Sequence, residues 1–446
     1  MREVEAVINN VYDRHRDPRV PVDCERVVLQ VDDEKKYPIR DIASFVLDSL
    51  RNDKTVVLSP DQWEVLTCIS YCKTGELGYN AVYCPQCKKV TLHTNSCNNR
   101  NCPNCQSMDA DAWVENRSAE TIEGIAYYHG VATVPDELNP LIYANKSALW
   151  GLEMRAASNA VIKLSRDQKH NGFTPGIISV FHPNGSQLFD HPHVHMLISG
   201  GGLTPFNKFI ETAHDHFFLP AHAVSSVFRG MYMAELKQLY LDHKLILPDP
   251  EVFIPYLGRP VDLNDPIEWL NFTSSLYNDR FNFFVKETFN GHGNALRYLG
   301  RYVFRTAISN SRIVSYDLEP TPEHPDGWVV FKYKDYNDGG KWKEEGLSAK
   351  AFILRFLRHV MPKGFFRVRS TGFLANSIKK ESLRLIAELF SREFLISRLQ
   401  GKSKSEIIAL LYNRDVCSCP DCGSKLVLVG RFHSYDVDIL SPKMAC

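Results

Sequence analysis

Two Cys-x-x-Cys turns, Cys84-Pro-Gln-Cys87 and Cys102-Pro-Asn-Cys105, stand fourteen residues apart, and a chain that carries such a pair is constrained locally whatever the rest of it does. Each turn sets two thiols at the spacing a tetrahedral ion needs, so the segment between them is expected to fold back until four sulfurs meet on one zinc. A redox pair is the competing chemistry. The motif occurs twice and no thioredoxin-like pattern surrounds either copy, which favours structural zinc. Cys72, Cys97, Cys68 and His93 lie within or beside the segment; they offer ligands for a second ion or, equally, buried thiols and a surface imidazole. Towards the other end, Cys417-Ser418-Cys419-Pro420-Asp421-Cys422 supplies half of a zinc ribbon, with His433 and Cys446 as candidates for the missing half. The start of the chain, MREVEAVINNVYDRHRD, has no apolar run of the kind that directs export. Clustered cysteines in that setting read as metal ligands before disulfides.

A second pattern is His191-Pro192-His193-Val194-His195, running into the apolar Met196-Leu197-Ile198. On a strand, alternate side chains share a face, so the three imidazoles project together at a spacing of about 7 Å. Val194, Met196 and Ile198 take the other face. Two such imidazoles can grip one divalent ion, and His191 is a geometric candidate for a third ligand. A third pattern is helical, from Ala295 to Ser309. Tyr298 and Tyr302 stand one turn apart, within about 40° of each other around the axis, and Arg297, Arg301 and Arg305 fall on the adjoining side. Leu296, Leu299 and Val303 belong to the opposite stripe. Phenols at the seam between a buried face and an arginine face are placed to attack an anionic phosphodiester, because guanidinium groups hold phosphate and favour phenolate. The plain alternative is a tyrosine pair packing an amphipathic helix.

Length, at about 150 residues per domain, suggests three folded units, and no stretch of 18 or more apolar residues exists to span a membrane. Lys plus Arg equals Asp plus Glu at 52 each, so no global basic excess announces a nucleic acid. Charge is instead local. Residues 341–380 hold ten Lys/Arg against Glu344 and Glu345, a net of +8, and Arg355, Arg358, Arg367 and Arg369 within this block are candidate phosphate contacts. Strand-like and helical segments alternate without a regular βαβ rhythm, which argues α+β. Expected strands include 129–135, 176–183 and 193–201; expected helices include 2–16, 41–52, 141–164, 220–243, 349–360 and 380–395.

With His193-Val194-His195 and the Tyr298/Tyr302 pair in view, the chain resembles the rolling-circle transposases of bacterial insertion sequences, the two-tyrosine HUH group related to Helitrons. The likeness runs from the cysteine segment through HPHVHMLISGGGL and RYLGRYVFRTAISNSRI to KYKDYNDGGKW and FLRHVMPKGFFRVRSTGFLAN. It implies an HUH nuclease core, an antiparallel sheet flanked by helices, with a small N-terminal zinc-binding domain and a helical or mixed C-terminal region. The corresponding segments are an N-terminal helical region (1–65), a zinc-binding domain (66–115), a catalytic domain (116–315) with a helical insertion at about 205–290, and a C-terminal DNA-binding region (316–446) with a possible zinc-ribbon remnant.

The resemblance also implies roles. His193 and His195 correspond to the family's metal pair, Tyr298 and Tyr302 to its nucleophiles, and Gln187, in the turn before the strand, to a family glutamine ligand that competes with His191. The implied cofactors are magnesium or manganese at the HUH site and structural zinc at Cys84, Cys87, Cys102 and Cys105. The implied reaction nicks and rejoins single-stranded DNA at insertion-sequence ends through a 5′-phosphotyrosyl link, in the bacterial cytoplasm and without a membrane partner. A rolling-circle replication initiator or relaxase shares this chemistry but not the cysteine segment. A zinc-dependent DNA-binding protein that has lost catalysis would not need both histidines and both tyrosines.

Overall fold

In a computed structural model the described residues are 26–30, 37–212, 218–277, 281–287 and 307–432, with Leu296, Gly300 and Val303. The fold is α+β with mainly antiparallel sheets. It divides into two compact units, each discontinuous in sequence. The first takes residues 1–112, 308–360 and 401–446; the second takes 113–307 and 361–400. The four segments expected from the sequence are therefore interleaved: the stretch 316–446 contributes to both units, and its last part joins the cysteine segment. The expected first helix at 2–16 lies outside the described residues.

In the second unit, β4 (Tyr127–Thr133), β5 (Thr174–Asn184), β6 (Asp190–Leu203), β8 (Asn282–Glu287) and β12 (Val368–Gly372) form one antiparallel sheet in the order β12-β5-β6-β4-β8, with β7 (Phe209–Glu211) on β6. The central strands are apolar on both faces because both are covered. On one face Ile177, Phe181, Val194, Met196 and Ile198 pack with Leu149, Trp150 and Ala157 of the helix Lys146–Arg166 and with Phe228, Tyr232 and Leu236 of the helix Ala221–Leu241. Trp150, Phe181 and Phe365 meet at centroid separations of 4.9, 5.5 and 5.6 Å, which locks β5 one residue before His182. The helical insertion is thus part of this core rather than an appendage, and β8 returns from it to the sheet edge. On the other face Ile178, Val180 and Leu197 pack with Leu296 and Val303. A Cβ on Gly202 of the Gly-Gly-Gly run would overlap the Thr174 carbonyl, so only glycine permits β6 to lie so close to β5 there.

The first unit holds two smaller sheets. β1 (Arg26–Gln30), β2 (Tyr79–Cys84), β3 (Lys89–Thr94) and β13 (Val427–Phe432) run in the order β1-β3-β2-β13, with β1 parallel to β3 and the other pairs antiparallel. β9 (Ile313–Asp317), β10 (Trp328–Asp335) and β11 (Lys341–Ser348) form an antiparallel meander. Among the described residues the hairpin β2-β3 has a buried cluster of Ala81, Tyr83, Val90 and Leu92, with Tyr79 packed against it. That is little apolar surface to hold a hairpin by burial alone. Among the described residues no helix is long and apolar enough to cross a membrane.

Candidate functional site

Three imidazoles converge on the second unit's sheet. His193 and His195 lie two apart on β6, and the β5-β6 register sets His182 opposite His193 and Val180 opposite His195. One parity rule therefore sends all three side chains to the same face. Their ligand nitrogens lie within 4.8 Å of one another, and ring centroids are 4.8 Å (His193 and His195) and 5.3 Å (His182 to each) apart. His182 and His195 are buried and His193 is partly so.

Electrostatics favour the neutral form of His193 and of its neighbour His129. Desolvation, reinforced by neighbouring His191, lowers His193 to about 4, and burial lowers His129 of β4 to about 4. At neutral pH these rings keep a lone pair free of a proton. Two hydrogen bonds then sort the nitrogens. His193 Nδ1 donates to the His191 carbonyl at 2.7 Å, leaving Nε2 as the lone-pair nitrogen. His195 Nδ1 lies 3.0 Å from His129 Nε2, the rings stacked at 14°.

His182 is the member of this group that sequence reasoning passed over. Its signal was present in the expected strand 176–183, but only the cross-strand register shows that it faces His193. His191 shares the face, at the exposed outer end, with its ring nitrogen 3.6 Å from an Asp136 carboxylate oxygen. Gln187 sits partly buried in the turn 185–189 between β5 and β6. Tyr298 and Tyr302, with Arg297, Arg301 and Arg305, lie outside the described residues. Between them, Gly300 approaches Val114 so closely that a Cβ would collide with its methyl group.

The cysteines meet in the first unit, and not as one set. Cys72, Cys97, Cys102 and Cys105 form one group of four and Cys84, Cys87, Cys419 and Cys422 another, with the sulfurs within 4.8 Å in each. The expectation that Cys84, Cys87, Cys102 and Cys105 share one zinc is thereby corrected. The physical reason is the hairpin itself: the first knuckle forms its tip, between β2 and β3, whereas the second follows its base. Cys72, at the end of the helix Pro60–Tyr71, and Cys97, just after β3, complete the base set. The half ribbon is corrected likewise: its partners are Cys84 and Cys87, while His433 and Cys446 lie outside the described residues.

The basic block is divided between the two units at residue 360. Much of it is neutralised internally, through Lys341 and Lys343 with Asp338, Lys343 with Asp335, Lys350 with Asp53, Arg355 with Glu345 and Lys379 with Glu120. Arg369 pairs with Ser179, whose hydroxyl meets Ser158 on the sheet face opposite the histidines. Its guanidinium donates to the Gly151 carbonyl at 3.3 Å and lies 5.8 Å from the Phe365 ring, and burial lowers its pKa. Arg358 is exposed; Arg367 is partly buried, and its carbonyl accepts from Phe181 N–H at 2.8 Å.

A family profile described as "Putative transposase" matches residues 176–382, which hold the histidine strands. A profile described as "Transposase zinc-binding domain" matches residues 44–134, which hold Cys72, Cys97, Cys102 and Cys105 together with Cys84 and Cys87 of the other group. Similar curated proteins are the "Putative transposase y4qJ" of Sinorhizobium fredii, 34% identical over 82% of this chain and 88% of that protein, and the "Transposase for insertion sequence element IS801" of Pseudomonas savastanoi pv. phaseolicola, 27% identical over 73% of each. No solved structure matches.

Proposed function

This chain belongs to the family of transposases with the IS91-type zinc-binding domain, and from that premise we propose that it nicks and rejoins single-stranded DNA at the ends of an insertion sequence by tyrosine attack beside the histidine cluster. The observation that carries this reading is the convergence of His182, His193 and His195 on one sheet face. Three imidazoles suit a transition ion such as manganese better than magnesium, a hard cation that takes oxygen ligands. Such an ion, held by these three residues, would supply positive charge to the scissile phosphate and the departing 3′ oxygen.

The protein groups do the rest. Tyr298 or Tyr302 attacks phosphorus; the tyrosyl O–P bond forms, the P–O3′ bond breaks, the phenol gives up its proton and the 3′ oxygen gains one. The 5′-phosphotyrosyl link keeps the bond energy for rejoining. Arg297, Arg301 and Arg305 hold the phosphate oxygens by charge-assisted hydrogen bonds. His129 is a positioning residue. For His195 to offer Nε2, its Nδ1 must carry the proton, and His129 Nε2 at 3.0 Å is the acceptor that fixes this tautomer.

A nicking assay on end-labelled single strands, with manganese and with chelator, tests the reading. Manganese-dependent cleavage with a covalent protein–DNA adduct is expected. Tyr298→Phe and Tyr302→Phe should each block complete transposition while at least one still forms the adduct, and the double variant should form none. An adduct mapped by mass spectrometry to any other residue would refute the assignment.

A further inference from the structure

The matched zinc-binding domain ends at residue 134 and cannot by itself account for the second thiol group. We propose that Cys84, Cys87, Cys419 and Cys422 hold a second structural zinc, one that staples the segment 401–432 onto the β2-β3 hairpin.

The thiol spacings carry the metal assignment. Sulfurs around a tetrahedral zinc at about 2.3 Å stand about 3.8 Å apart. Cys84 and Cys422 are 3.5 Å apart and Cys87 and Cys419 4.0 Å. A disulfide would need about 2.05 Å. The same measure fits the base set, where Cys97 and Cys105 are 3.8 Å apart.

The two contributing knuckles are alike in sequence and backbone. Cys84-Pro85-Gln86-Cys87 and Cys419-Pro420-Asp421-Cys422 are each followed by a left-handed residue, Lys88 at φ 47° and Gly423 at φ 74°. That turn lifts both sulfurs to one side. Cys87 N–H donates to Cys84 Sγ at 3.4 Å, as expected where a thiolate takes backbone N–H bonds. Lys89 and Asp421 form an ion pair between the knuckles, and β13 pairs with β2 beside them.

Little apolar burial holds the segment among its described residues. Among the described side chains of 401–432, Cys419 is the only buried one. Leu410, Val416, Val427 and Leu428 are exposed, and the helix Lys404–Tyr412 buries none of its residues. A peripheral segment with so little described burial does not offset its ordering entropy, whereas a thiolate-bound zinc can.

The test uses full-length protein purified without chelator. Metal analysis should give two zinc per chain, and Cys419→Ser with Cys422→Ser should give one. Thiol alkylation read by mass spectrometry keeps the proposal testable on the wild type. Cys417 and Cys422 are both exposed, so without metal they should react alike. With zinc bound, Cys417 should be modified while Cys419 and Cys422 are protected, and chelator should expose both together with Cys84 and Cys87. Alkylation of Cys422 as fast as Cys417 in zinc-replete protein would overturn the proposal, as would a double variant that keeps two zinc ions.

Discussion

The histidine group and the cysteine groups are built in opposite ways. His182, His193 and His195 sit on two central strands of a sheet with apolar cover on both faces, so the core positions the ligands before any ion arrives. The cysteines sit in turns and at element ends around the β2-β3 hairpin, whose buried cluster is Ala81, Tyr83, Val90 and Leu92, so the ions must position the hairpin. In the second unit the fold holds the site; around the hairpin of the first the sites hold the fold. Removing metal from one should cost chemistry, and from the other structure.

The largest expected effect tests this directly. Structural zinc of this kind contributes about 10–16 kcal/mol in isolated finger peptides at neutral pH, comparable to a small domain's whole stability. Strong chelator should therefore strip hydrogen-exchange protection from β2, β3 and β13 while β5 and β6 keep theirs. Protection retained in β2 and β3 after complete zinc removal would break the contrast.

The same contrast predicts that His182→Ala separates metal from stability. Outer-shell partners of a metal typically matter 10–100-fold in affinity or activity, so loss of this ligand should cost more than about 100-fold in manganese affinity, read by calorimetry. Its effect on unfolding should stay within the ordinary range of about 0.5–3 kcal/mol. His191→Ala, on the exposed end of the same face, should leave manganese affinity nearly unchanged. An equal loss for both would return His191 to the ligand set.

Legibility followed the range of the interactions. His193 and His195 share a strand, and a period of two is local, so their common face could be read directly. His182 required the β5-β6 register, which includes a shift between His182 and Asn184 that no local pattern encodes. Leu296 and Val303 are buried as the helical stripe at 295–309 anticipated. The cysteine motifs were plain, but their grouping was not: Cys84 meets Cys422 across 338 positions, and spacing along the chain favoured the nearer knuckle. The basic block looked continuous because charge was counted along the sequence, whereas four of its acidic partners, Asp53, Glu120, Asp335 and Asp338, lie outside it.

A smaller effect should show which unit responds to pH. Glu153 is fully buried on the helix Lys146–Arg166, both carboxylate oxygens without a hydrogen-bond partner, and burial raises its pKa well above 4.5. The folded state then holds a proton that the unfolded chain releases. Stability contributed by this group is complete below about pH 4.5, the unfolded value, and is lost as pH rises through the folded pKa. Glu153→Met should raise second-unit stability at neutral pH by about 1–3 kcal/mol and flatten its decline with pH. An unchanged pH profile would mean that the carboxyl finds a partner.

The smallest effect concerns DNA affinity, where the two units should contribute separately. Each phosphate contact to a single strand adds about 0.7 to the slope of log affinity against log salt. Lys343 and Arg355 are already committed, at 2.7 Å each, to Asp335 and Glu345. Moving such a side chain to phosphate would first break an internal ion pair and strand its acid. Lys343→Gln and Arg355→Gln should therefore change the slope by well under about 0.7 apiece. Arg358 of the first unit and Lys363 and Lys380 of the second are exposed, and if each touches the backbone its replacement by Gln should flatten the slope by about 0.7. Filter binding at several salt concentrations reads the difference. A full decrement at Lys343 or Arg355 would show that the internal pairs open on DNA; no decrement at the three exposed positions would remove the block from the DNA interface in both units.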